Sequence, residues 1–599
     1  MSIRPRVRAP ELRGRGWLNT GGSSYAIADF RGRFLLLDFW TFCCVNCLHV
    51  LDELRPLEER YDGELVVVGV HSPKFLHEAD PEALAAAVQR YEVTHPVLDD
   101  PDLETWQAYT ARAWPTLVLV DPEGYVVAQY AGEGHRHAID AVLAELREQH
   151  LAKGTLRPDD SPYVAPTPEA HDLRFPAKVI RLAGKGFLVA DAGHHQLVEL
   201  ADDAETVVGR FGSGERGHRD GGVDEACFNE PNGLAALPPE VAAQVGYDVV
   251  VADTVNHLLR GIDLGTGTVR TLAGNGKQWM PGDDTTSLSS PWDVAWWRDQ
   301  VWVAMAGIHQ LWTFDPLTGE VEAVAGTTNE GLLDGPLPDA WFAQTSGLAA
   351  AGDRLWIADS ETSSLRYVEA GRVHTAVGSG LFDFGFRDGP AVDALLQHPL
   401  GVTVLPDASV AVSDTYNGAL RRYDPATDVL STIAVDLAEP SGAVMDGEHL
   451  LVVESAAHRL TRVFLGDAAT APDFAHSTQR PVTEVTPGAL ELVVTFEPPP
   501  GQKVDDRFGP STQLLVTATP PGLLKEGDGR GTDLTRTLVM DPAVGSGVLH
   551  VAARAASCDA HAGAGAACHM HQQDWGVPVR VSEQGVAGLV LPLSGRSEG

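Results

Sequence analysis

The chain has 599 residues, too many for a single hydrophobic core, and its length predicts about three to five domains. Its 44 basic and 82 acidic side chains leave a net charge of −38, a sign that opposes phosphate backbones and anionic lipid surfaces, so neither nucleic acid nor membrane is expected as a partner. Met1–Thr20 is rich in arginine but has no apolar run long enough for a signal-peptide core, and no other stretch approaches a membrane span, which predicts a soluble, cytoplasmic protein.

From Phe34 to about His150, apolar strands alternate with amphipathic helices, the pattern of a layered α/β domain with a mostly parallel sheet. Strands are predicted at Phe34–Trp40, Leu65–Val70, Thr116–Val120 and Tyr125–Tyr130. Asp80-Pro81 and Asp100-Pro101 each put an N-cap carboxylate before a proline suited to the first helical turn, and a further helix is predicted near Ala138–Gln149.

Beyond a linker containing Pro158, Pro162, Pro166 and Pro168, the texture changes to short strands, glycines and Asp-Gly pairs up to about Ala475. The segment Val251-Ala252-Asp253 recurs as Val189-Ala190-Asp191, Val303-Ala304-Met305, Ile357-Ala358-Asp359, Val412-Ser413-Asp414 and Val452-Val453-Glu454. Six units at this spacing predict a six-bladed β-propeller, whose radial closure leaves few exposed edges. The repeated aspartates are read as turn residues capping their own backbone rather than as a ring of ligands. From about Val482 to Leu591, further alternating strands predict a small β-sandwich.

Six cysteines in the whole chain, three of them clustered at Cys43, Cys44 and Cys47, suit a catalytic dithiol in a reducing compartment better than a disulfide scaffold. The buried strand ending at Trp40 runs into a helix whose apolar side is Leu48, Leu51, Leu54 and Leu57, which places Cys44 at the helix N-terminus. Peptide dipoles and free N–H groups there favour the thiolate, so Cys44 is the expected nucleophile. Cys47, one turn on, is placed to resolve a mixed disulfide formed at Cys44. Cys43 is read as a small packed hydrophobe and His49 as a surface residue. His71, Pro73 and Lys74 are read as a structural loop. The tail set Cys558, His561, Cys568, His569 and His571 fits no standard zinc spacing, and Cys558 with Cys568 is the possible secondary redox pair.

Asp38 to Cys47 aligns without gaps on the thioredoxin motif D-F-W-x-x-W-C-G-P-C, and Trp114-Pro115-Thr116 matches the family's cis-proline loop. The resemblance implies that Asp38 is the buried base for Cys47, that Trp114 and Thr116 beside Pro115 hold an extended substrate, and that Pro115 keeps metal off the dithiol. The longer segment between Val70 and Asp99 is most similar to the TlpA-like branch. Val251–His257 with Arg260 resembles the NHL repeat, and the combined order resembles the NHL-repeat-containing protein 2-like family. The expected division is therefore a thioredoxin-like domain at 1–155, a linker at 156–172, an NHL propeller at 173–476 and a sandwich-like domain at 477–599. The function implied is a thiol–disulfide oxidoreductase without cofactor or metal, served by a thiol electron donor and acting on a protein client recruited by the propeller. The alternative is a redox-silent interaction scaffold.

Overall fold

The computed structural model describes residues 7–167, 169–381, 383–466, 468–469, 472–477, 482–498, 502–504, 510–559 and 568–594. Two compact units result: Met1–Pro168 together with Gln479–Gly599, and Glu169–Thr478.

In the first unit, seven strands run in the order Val7–Arg8, Tyr125–Ala131, Thr116–Val120, Phe34–Trp40, Leu65–His71, Val97–Asp99, Gly16–Leu18. Only Phe34–Trp40 with Leu65–His71, and Leu65–His71 with Val97–Asp99, pair in parallel; the other neighbours are antiparallel. The sheet is thus mixed rather than mostly parallel. The Asp121–Gly124 turn, closed by Asp121 Oδ1 accepting from the N–H groups of Glu123 and Tyr125, leaves no room for the crossover that parallel neighbours need.

Alternation along Phe34–Trp40 sends Phe34 and Leu36 under helix Val45–Arg60, where they meet Val50, Leu54 and Leu57. Leu35, Leu37 and Phe39 face the opposite core with Val68 and Trp106. Asp38 shares the face of Phe34 and Leu36, which points it beneath the helix that carries the cysteines. Asp80 caps helix Pro81–Arg90 through the N–H groups of Glu82 and Ala83. The next helix starts later than its Asp-Pro signal suggests, at Glu104, yet Asp100 still accepts from the N–H groups of Thr105 and Trp106.

The sandwich half of this unit consists of a sheet of Thr483–Val485, Cys568–Val581, Ser546–Asp559, Thr512–Thr519 and Gly529–Gly531, with Gln502–Val504 beside it, and a second sheet of Leu524–Glu526, Thr535–Met540, Gly488–Glu497 and Gly588–Ser594. Leu490, Leu514, Val516, Leu549 and Trp575 fill the space between them. Ala113, just before the Trp114–Pro115 loop, packs against that core, and Arg112 Nη1 donates to Thr483 Oγ1 at 3.4 Å.

Among the described residues, the second unit holds seven antiparallel sheets, one of them the two-stranded pair Asp383–Phe386 with Phe474–Ser477; the innermost strands of the other six, Pro176–Leu182, Pro231–Ala236, Pro291–Trp297, Thr345–Ala351, Gly401–Val404 and Pro440–Asp446, follow one another round a ring and return to the first. This is a closed six-bladed propeller. Two repeated devices join the blades. In the first three blades a histidine just after the turn accepts a backbone N–H from the following blade: His195 from Glu230 at 3.2 Å, His257 from Ser290 at 3.0 Å, His309 from Gln344 at 3.0 Å, while in the fourth Ser363 Oγ accepts from His398 N–H at 3.2 Å. His458 makes the same bond to Phe175 at 3.0 Å, so ring closure uses the joint found inside the ring. At the inner strands, a Cβ on Gly347 would stand 2.6 Å from the carbonyl oxygen of Leu400, a close approach that only glycine permits and that explains the glycine of the repeat.

The repeated aspartates do more than cap their own turns. Buried Asp253 accepts from the N–H of Asn229, from Asn256 Nδ2 and from Arg260 Nη1 at 2.8 Å each. Arg260 also binds Asp220 of the Asp-Gly pair at 2.8 Å. Asp359–Arg366–Asp334 and Asp414–Arg421–Asp388 repeat the clamp. The turn accounts for only part of their bonding, because the partner arginine lies seven positions on, in the next strand. In the third unit Met305 and Trp312 take the clamp positions and sit in an apolar cluster. Among the described residues, no helix is long and apolar enough to cross a membrane.

Candidate redox site

Cys44 is the N-cap of helix Val45–Arg60, with extended backbone (φ −89°, ψ 110°), and its carbonyl accepts from Cys47 N–H at 3.0 Å and Leu48 N–H at 3.2 Å. Both thiols are free; Cys44 is 8% exposed and Cys47 fully covered. The Cys47 thiol is pushed well up, first by burial and then by its hydrogen bond to the Cys44 sulfur, with the Asp38 charge adding and a backbone bond from Thr41 opposing. Cys47 is therefore held as the proton-bearing partner, and what exposure the pair has belongs to Cys44.

Asp38 is completely buried, and neither of its carboxylate oxygens has a hydrogen-bond partner among the described residues. Burial pushes its pKa well above the usual carboxylate range, and the charges of Glu58 and Glu53 push it further. A carboxyl so placed takes up a proton far more readily than an exposed one. His71, which is beside Trp40 in the parallel register and stacked on Phe42 at 5.3 Å, is driven the other way by burial, to about 3, and stays neutral.

The Trp114–Pro115 peptide is cis. Thr116 pairs with Phe39, so Pro115 lies alongside the end of the strand from which the dithiol loop departs. Trp114 is half-buried, stacks on Trp106 with centroids 4.3 Å apart, and donates through Nε1 to the carbonyl of Ser72 at 2.8 Å. The Thr116 hydroxyl is engaged internally with Ala113 O at 2.7 Å.

Several neighbours were not legible from the motif. His49, read as a surface residue, is buried with Nδ1 2.6 Å from Glu133 Oε2. One turn on, Glu53 accepts from the N–H groups of Gly134 and His135, so this side of the helix anchors the 131–135 loop instead of meeting solvent. Cys43 is buried, as are His71, Ser72 and Lys74. Glu78 gave no signal in the sequence because three of its four partners are backbone groups. In the tail, Cys558 is disulfide-bonded and stands opposite Cys568 in the antiparallel register, while His571 bonds Ser557 Oγ at 2.7 Å. His561 and the side chains of Cys568 and His569 lie outside the described residues.

A family model described as thioredoxin-like matches residues 32–126. The class is thus a thioredoxin-like domain with a Cys-x-x-Cys dithiol, joined to a six-bladed propeller and a β-sandwich. Over a longer stretch, the chain is 36% identical over 483 residues to the chloroplastic protein SUPPRESSOR OF QUENCHING 1 of Arabidopsis thaliana, covering 73% of this chain and 45% of that protein. It is 35% identical over 475 residues to NHL repeat-containing protein 2 of Gallus gallus, covering 72% of this chain and 64% of that protein. The chain therefore spans less than two thirds of the length of either relative. The first domain alone is 26% identical over 141 residues to the thiol-disulfide oxidoreductase YkuV of Bacillus subtilis, covering 23% of this chain and 94% of that protein. By sequence, the chain is similar to NHL repeat-containing protein 2.

Proposed function

We propose that the chain is a thiol–disulfide oxidoreductase acting through Cys44 and Cys47. The observation that carries this reading is the pair of hydrogen-bonded free thiols at a helix N-terminus above a wholly buried, partnerless Asp38. The Cys44 thiolate attacks one sulfur of a substrate disulfide, forming a mixed disulfide and releasing the other sulfur as a thiolate. Cys47 then attacks Cys44, passing its proton to Asp38, and the second substrate sulfur departs. Two electrons have moved from the dithiol to the substrate, and a thiol donor must reduce the Cys44–Cys47 disulfide before the next turn. The loop at Trp114, Pro115 and Thr116 holds the substrate segment by strand-like hydrogen bonds. No metal or cofactor takes part in this scheme. The propeller recruits the protein client, and a cytoplasmic location fits a dithiol kept reduced. Cys558 and Cys568 form the proposed secondary pair, a reading supported by the disulfide at Cys558 and the cross-strand register.

Cys47→Ser is expected to accumulate mixed disulfides with clients, identified after non-reducing electrophoresis, whereas Cys44→Ser accumulates none and loses disulfide-reducing activity. Full activity in Cys44→Ser removes Cys44 from the mechanism, and a parent chain that reduces no disulfide is the redox-silent scaffold.

A further inference from the structure

One buried carboxylate beside the dithiol has no part in the scheme above. Glu78 follows the Leu65–His71 strand in a short turn, and its side chain is fully covered. Its Oε1 accepts from the Thr41 hydroxyl at 2.6 Å and from Cys43 N–H at 2.9 Å. Its Oε2 accepts from Lys74 N–H at 2.8 Å and Phe75 N–H at 2.9 Å. A carboxylate only accepts, and four donors, three of them backbone groups from two separate segments, satisfy it.

Each segment it ties has a further contact in the site. Thr41 is the residue whose carbonyl accepts from Cys44 N–H at 3.3 Å and whose backbone bonds the Cys47 sulfur. The 72–75 segment holds Trp114 through Ser72 O at 2.8 Å, one residue before Pro115. Glu78 is therefore the common fastening of the loop that carries the nucleophile and the loop that supports the substrate-facing tryptophan.

We infer that Glu78 is a positioning residue that fixes the Cys44 sulfur relative to the Trp114–Pro115 loop, so that a polypeptide disulfide held on that loop lies in line for attack. The inference rests on the oxidoreductase reading. It makes a distinction that a plain stability role does not: a small reagent needs only the thiolate, whereas a polypeptide disulfide needs thiolate and loop in register.

The test compares two rates in the full chain: reduction of a peptide disulfide and alkylation of Cys44 by iodoacetamide in a Cys47→Ser background. Glu78→Ala is expected to slow peptide-disulfide reduction by about 10- to 100-fold, the usual effect of displacing a reacting atom by an ångström, while alkylation changes by less than about twofold. Thr41→Val, which removes one of the four bonds at nearly constant volume, is expected to move the ratio in the same direction by a smaller factor, and it stands in if Glu78→Ala does not fold. Equal loss in both rates, or no change in their ratio in either variant, overturns the inference. If the parent chain itself reduces no disulfide, the oxidoreductase reading fails instead, and the two failures are told apart by that control.

Discussion

Removing one member of a propeller clamp should cost more than removing both charges. Arg366 Nη1 binds Asp359 Oδ2 at 3.0 Å and Nη2 binds Asp334 Oδ1 at 2.9 Å, with the carbonyls of Trp341 and Leu333 as its remaining partners. Asp359 is fully buried and, mainly through burial, pushed up to about 6 even with the arginine present. Arg366→Met leaves that carboxylate and two carbonyls without their donor, a loss on the order of 3–5 kcal/mol. At about 2 °C per kcal/mol for a unit of this size, its unfolding temperature should fall by roughly 6–10 °C. The double variant Asp359→Leu/Arg366→Met creates an apolar pair like Met305 and Trp312 in the third blade, and should stay within about 2 kcal/mol of the parent, the residue of the cost being the orphaned N–H of Ala343 and the carbonyls of Trp341 and Leu333. Scanning calorimetry of the full chain, following the transition of Glu169–Thr478, measures both. If the double variant melts no higher than the single, or the single loses under about 1 kcal/mol, the clamp is not a compensated buried charge pair and the reasoning is wrong.

Asp38 gives a pH signature of definite sign. The folded chain keeps a proton there that the unfolded chain gives up near pH ~4, so stability falls as pH rises from that value towards the raised folded one. Asp38→Asn should therefore melt higher than the parent at neutral pH and converge with it below about pH 4, where the unfolded aspartate is also protonated; parallel melting curves across pH would contradict this. For the ring joint, His458→Ala leaves the N–H of Phe175 without its acceptor and should cost about 1–3 kcal/mol. Urea unfolding of His458→Ala beside His257→Ala tests whether the closing joint is worth more than an internal one; equal losses would show that closure carries no special weight.

Much of the site was legible because its signals are local. A cysteine at a strand-to-helix step, an Asp six residues earlier and a Trp-Pro-Thr before a strand are short motifs, and the structure puts Asp38, Cys44, Cys47 and the Pro115 loop together. The V-A-D segments likewise marked the second strand of each blade, since apolar residues buried on both faces read as a continuous run. What stayed hidden depends on partners far along the chain or on backbone groups. Glu78 bonds mainly to N–H groups, which carry no sequence identity. His49 is polar yet buried because Glu133, on a distant loop, receives it. Arg260 was visible as part of the repeat, but its bond to Asp220 of the preceding loop was not, because a pair 40 residues apart leaves no local pattern. The sequence suggests a mostly parallel sheet because two strands joined by a tight turn look, residue by residue, like any other buried strands.

The division into units has a consequence for biosynthesis. The thioredoxin-like half leaves the ribosome first, but the sandwich that completes its unit is encoded after the propeller, roughly 300 residues later. At ordinary elongation rates of about 5–20 residues per second, that is a delay of roughly 15 to 60 s. During that interval Ala113 and the edge around Arg112 have no sandwich core to pack against. The nascent dithiol domain is then a distinct species, with a surface that the finished protein covers and that a chaperone could occupy in the meantime.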